Sequence, residues 1–354
     1  NTTGTANTAI GKLSLYSNTT ADNNTAVGYD ALRVNTTGAE NTSVGSGALY
    51  ANTTASGNTA MGFRSLTTNT TGSKNTALGQ DALRYNTTGI NNAAVGNYAL
   101  LANTTGTEGA ALGFEALKSN TTGHSNVAIG NEALENNTTA SSNTAVGTKS
   151  LRANTTGSYN SAFGENALKA NTTGAQNSGI GRYTLAVNTT GNNNIAVGES
   201  ALYANTTASY NTAVGHSALT SNTTGSSNDA FGYYTLQANT TGTANVAIGS
   251  RSLSANTTAS NITAVGRDSL KSNTTGASNS AFGMQALDAN TTGANNNSFG
   301  YNSLSSNTTG EANSSFGSTS LFTNTTGASN TAMGYLALRY NTTAANNTAV
   351  GRSA

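Results

Sequence analysis

Asn1-Thr2-Thr3-Gly4 opens the chain, and the Asn-Thr-Thr triplet then returns every 17 residues with no insertion or deletion. It begins at Asn1, Asn18, Asn35, Asn52, Asn69, Asn86, Asn103, Asn120, Asn137, Asn154 and Asn171. It continues at Asn188, Asn205, Asn222, Asn239, Asn256, Asn273, Asn290, Asn307, Asn324 and Asn341. The 354 residues thus hold 20 complete repeats and 14 residues of another. Globular domains decorate their loops and lose phase, whereas a strict period is expected where each repeat stacks on the last. The sequence predicts one continuous array over 1–354. Starting on a repeat and stopping within one, it reads as a segment of a longer fibre or polymer.

Working outward from the triplet, the repeat reads N-T-T-[GA]-x-x-N-[TSVI]-A-[VIFML]-G-x-x-[AST]-L-x-x, with the first Asn as position 1. Position 10 is always a sizeable apolar residue, position 11 is glycine in all 21 repeats, and position 15 is leucine in all 20 that reach it. Two large apolar positions five apart, with glycine between, do not make a helix face. A short strand at positions 8–10 fits better. Alternation then sends positions 8 and 10 to one side and the small position 9 to the other. The expectation is an apolar interior built from positions 8, 10 and 15, with position 9 outside. Leu15 would be carried inward by a second short strand, and N-T-T-[GA] would form a third strand or a turn. Position 4 is glycine in 15 repeats and alanine in six, such as Ala21 and Ala55, so φ > 0 cannot be obligatory there.

The charged residues concentrate at positions 5, 6, 12, 13 and 16, for instance Arg33, Asp81, Glu115 and Arg267. Asp229, at position 8, stands apart and reads as a local fault. Variable polar positions beside fixed apolar ones define an outside and an inside. The predicted fold is all-β, a β-solenoid or parallel β-roll with one rung per 17-residue repeat.

Composition agrees. Hydrophobic residues are 35% and charged residues 8%, against about 45–50% and ~25% in ordinary domains. There is no proline, as expected where nearly every backbone N–H serves a ladder. Absent cysteine excludes a disulfide scaffold and thiolate metal sites. A net charge of +1 without basic or acidic blocks gives no footprint for nucleic acid, and no apolar run is long enough to span a membrane. Two core residues per rung cannot offset the ordering of 17 residues. Backbone ladders, Asn and Thr side-chain ladders and association of several chains must supply the rest. Positions 9 and 14, kept small, are where the backbone of another chain is expected to approach.

Positions 7 to 11 read Asn126-Val127-Ala128-Ile129-Gly130 and Asn245-Val246-Ala247-Ile248-Gly249. This resembles the S-V-A-I-G-x-x-[SA] element of the head repeats of trimeric autotransporter adhesins, also found in some phage tail-fibre shafts. The resemblance covers positions 7 to 14 of every repeat. It implies a left-handed, homotrimeric parallel β-roll in an extracellular fibre at a cell or virion surface. Two departures stand: that family's repeats are usually shorter, and threonine mostly replaces the first valine.

Each Asn-Thr-Thr is also an N-glycosylation sequon. The 21 asparagines, Asn1 to Asn341, are therefore candidates either for glycan attachment or for a side-chain ladder. A sequon does not require Thr2, yet Thr2 is as fixed as Thr3, which points to the ladder; O-linked sugar on the threonines is a further option. Asn7 recurs at position 7 except at Gly109 and Ile262 and reads as a turn or ladder residue. Adjacent threonines put hydroxyls on opposite faces, which disfavours an ice-binding array. His124 and His216 have no partner cluster and read as surface residues. Gly45-Ser46-Gly47 is followed by no helix and is not a phosphate loop.

No nucleophile-base pair, paired carboxylates or metal-ligand spacing recurs, so no enzyme, cofactor or metal is expected. The expected function is a structural extracellular fibre or filament shaft that self-associates as a trimer or end-to-end polymer and can carry covalent glycans. The alternative is a surface-binding module whose lateral face recognises glycans, cells or ice. Such a face should show aromatic or charged residues at one fixed position, whereas Tyr29, Tyr183, Tyr233, Tyr234 and Tyr301 scatter over positions 12 and 13.

Overall fold

The computed structural model describes residues 1–354 and contains strands and turns but no helix. It is a parallel β-solenoid of 21 rungs with 17 residues per turn. Two compact units divide it, Asn1–Gln176 and Asn177–Ala354. The first carries strands β1 (Thr8–Ile10) to β10 (Ser161–Phe163), and the second β11 (Ser178–Ile180) to β21 (Thr348–Val350). Within each unit consecutive strands pair in parallel with a constant offset, Thr8 opposite Thr25 and Ile195 opposite Thr212. A parallel pair needs a return path of a dozen or more residues, and the remainder of each repeat supplies it.

Each strand is three residues long, at positions 8–10, and the return path is built from left-handed residues rather than further strands. Gly11 and its equivalents have φ between 118° and 143°. A Cβ there would lie 2.7 Å from the backbone of the next rung at Gly249, so both conformation and space demand glycine. Positions 6, 13 and 15 are also left-handed, the position-15 leucines all with φ between 47° and 55°. A left-handed residue costs roughly 1–2 kcal/mol, and full burial of a leucine returns about 1.5–3 kcal/mol. Leu15 reaches the interior from this turn, not from the second strand that alternation suggested. The position-4 glycines, by contrast, avoid positive φ, as the alanine variants required. N-T-T-[GA] is bent backbone rather than a strand.

The interior is thin. Positions 1, 4, 7, 9, 14 and 15 point inward, and residues such as Ala26, Ala31 and Leu32 are fully buried. The orientation of the strand is the reverse of the expectation: position 9 faces in, and positions 8 and 10 face out. Hydrogen bonds show why. Ser43 Oγ donates to the Ala48 carbonyl at 2.8 Å, and Ser298 Oγ to that of Ser303 at 2.7 Å. Positions 9 and 14 thus oppose each other across one rung. Their smallness sets the rung's own thickness rather than making room for another chain. Asp229 accordingly lies on the outer side of β14 (Asp229–Phe231), where a carboxylate needs no special tolerance.

Candidate functional site

The asparagines of the triplet form an internal ladder. Asn18 through Asn324 are at most 2% exposed, while Asn1 and Asn341, in the first and last rungs, are more open. The amide Nδ2 of Asn35 donates to the Gly38 carbonyl at 2.8 Å and to Asn18 Oδ1 at 3.0 Å. Asn52 repeats this with Ala55 and Asn35. Both N–H groups of the amide are used, one closing the rung's own turn and one tying it to the preceding rung. A sugar on Nδ2 would remove one of these bonds and require space where the side chain has none.

A second ladder runs at position 7. Asn41 Nδ2 donates to the Ala55 carbonyl at 2.9 Å, and Asn24 Oδ1 accepts from the Asn41 backbone N–H at 2.9 Å. Where the asparagine is replaced, the backbone half persists: Gly109 N–H still donates to Asn92 Oδ1, and Ile262 N–H to Asn245 Oδ1. Most of these buried amides are tolerated because their donors and acceptors are matched, while the Nδ2 groups of Asn58 and Asn143 find no acceptor.

The two threonines separate cleanly. Thr36 Oγ1 donates to the Thr53 carbonyl at 3.0 Å, and Thr121 Oγ1 to that of Thr138 at 3.1 Å. Position 2 is therefore a third ladder, which explains its invariance without a sequon. Position 3 is exposed, and its hydroxyl donates to no protein acceptor.

Outside the ladders the surface carries two fixed features, the exposed Thr3 rank and an apolar row. Position 10 is apolar in every rung and faces outward, with Leu112 50%, Ile180 48% and Met333 46% exposed. In the second unit Phe282, Phe299 and Phe316 stack nearly parallel, with ring centroids 4.8 and 4.9 Å apart. Alternation alone hid this row, because it assigned these side chains to the core. The signal that could have revealed it was the joint smallness of positions 9 and 14.

The charged positions form local surface pairs. Arg152 sits between Glu132 and Glu135 at 2.9 and 2.7 Å, and the Glu135 hydrogen bond raises its guanidinium pKa. Lys118, bonded to Glu115 at 2.8 Å, is raised for the same reason. His216 packs against Tyr233 and Tyr234, while His124 lies on the surface. No group of three potential metal-ligating side chains comes together. No helix is long and apolar enough to cross a membrane. No protein-family model and no curated protein matches this chain.

Proposed function

We propose that this chain is the shaft of an extracellular fibre, adhesin-like or tail-fibre-like, that associates with copies of itself through the position-10 row to form a homotrimeric, left-handed β-roll. The observation that carries this reading is that an outward-facing position stays apolar in all 21 rungs while neighbouring outer positions vary freely. Exposed apolar surface of this extent marks an interaction site. A second copy has the same rung spacing by construction, so its row can match this one over many rungs. With large side chains left about 40% exposed, each leaves roughly 50–90 Å² open, on the order of 800 Å² over the second unit, close to one partner's share of a standard interface.

The resemblance at positions 7 to 14 supports the same reading. An ice-binding face is less well supported, because the Thr2 row spends its hydroxyls within the protein and leaves a single free rank at Thr3.

Sedimentation velocity on the purified chain tests the proposal. The expected species has about three times the 35.4 kDa chain mass. The triple variant Phe282→Glu, Phe299→Glu, Phe316→Glu should shift it toward monomer with an unchanged β-type circular dichroism spectrum. A wild-type chain that stays monomeric at tens of micromolar would overturn the interface.

A further inference from the structure

One place on the outer surface breaks the repeat in a way the shaft does not need. Position 13 carries Asp30, Gly47, Arg64 and Asp81 in four successive rungs, and Gly47 is the only glycine that this position ever holds. It has φ +67°, and a Cβ there would meet nothing nearer than Arg64 Cγ at 3.8 Å, so the missing side chain leaves open space. At position 12 of the same rungs, Ser46 lies between two exposed aromatics, Tyr29 and Phe63. The small Ser46-Gly47 pair between larger neighbours produces a recess of about 280 Å³. The two aromatics sit two rungs apart, about 9–10 Å along the stack, which is room for one saturated ring between them.

The charges around the recess do not cancel. Asp30 is held by Arg33 at 3.2 Å, and Arg84 by Asp81 at 3.5 Å. Arg64 stacks on Phe63, 4.5 Å from the ring centroid, and no carboxylate of the chain pairs with it. The recess therefore presents aromatic surface and one uncompensated guanidinium.

From this we infer that the Ser46-Gly47 recess is a binding site for a carboxylate-bearing sugar, such as a uronic acid unit of an acidic polysaccharide. An aromatic wall takes the apolar C–H face of a pyranose, and a guanidinium binds a carboxylate through two parallel N–H···O bonds. A neutral sugar would leave Arg64 without a partner. A phosphate dianion would find only one free cation and little use for the aromatic surface. The site lies at positions 12, 13 and 16 of the first unit and does not depend on the position-10 interface.

Titration calorimetry with a galacturonate trisaccharide, and with its neutral galactose counterpart as control, tests the site on the full chain. The acidic probe should bind, and the neutral one should bind at least about tenfold more weakly. Arg64→Gln should weaken the acidic probe by a similar factor. Gly47→Asn, which keeps a left-handed backbone accessible while filling the recess, should do the same. Circular dichroism and sedimentation should be unchanged in both variants, because neither residue's side chain serves a ladder and the backbone bonds from Gly47 to Tyr29 and from Arg64 to Ser46 are kept. Absence of binding, equal binding of the neutral sugar, or unaltered affinity in either variant would overturn the assignment.

Discussion

Alanine at Gly249 should destabilise the solenoid by about 2–4 kcal/mol, because φ of +119° and the backbone of Gly266 both exclude a Cβ. Alanine at Gly242, a position-4 glycine outside the left-handed region, should cost less, about 1–2 kcal/mol: its Cβ would crowd the Ala259 carbonyl, but six rungs already carry alanine there, so the rung can give way. Thermal melts of the two variants compare the rows directly. Asp288 offers a test by pH. Burial raises its carboxyl pKa, with the positive charge of Lys271 opposing the shift. The folded rung therefore disfavours the ionised form, a penalty present above the folded pKa and absent once pH falls below the ordinary ~3.9. Asp288→Asn should accordingly raise the melting temperature by about 1–2 °C at pH 7, and the gain should disappear near pH 3.

Among elements, the three side-chain ladders replace the apolar core that the composition cannot supply. Asn120 uses both amide hydrogens and accepts from Asn137, each bond between 2.8 and 2.9 Å. Asn120→Ala should cost about 2–3 kcal/mol, the penalty of stranding buried partners. Thr121→Val removes one hydroxyl bond and should cost about 1 kcal/mol. Thr122→Val removes none and should be close to neutral. If the triplet served glycan attachment alone, Thr121 would be the neutral site and Thr122 the sensitive one. Intact mass of native material before and after enzymatic removal of N-linked glycans gives the chemical counterpart. With the amides committed to the ladder, no shift is expected; loss of many sugar units would require the ladder to open.

For the whole molecule, the constant 17-residue offset makes a rung an interchangeable unit that contacts its neighbours through the same bonds. Deleting Asn103–Ser119 joins Ala102 to Asn120 in phase, and the variant should fold with unchanged circular dichroism and only slightly lower stability. Deleting 103–118 shifts every later residue by one position, placing outer residues against the ladders. That variant should aggregate or lose its cooperative melt.

The repeat by itself determined the solenoid, the 17-residue rung, the strand at positions 8–10 and the glycine that ends it. These follow from periodicity and from the conformations that single residue types permit. The ladder character of Asn1 and Thr2 was legible too, because Thr2 is fixed beyond any sequon requirement. The sequence did not say which way the strand faces. Alternation makes positions 8 and 10 opposite to 9, but it is symmetric under exchange of inside and outside. Residue size tipped the reading toward placing positions 8 and 10 inside. The tertiary structure decided otherwise: position 9 must face position 14 across a rung one side chain thick, Leu15 fills what width remains, and the position-10 row is left outside. The same three-dimensional stacking turned Gly47 from an unused glycine into the floor of a recess, because a missing side chain matters only once its neighbours in the adjacent rungs are known.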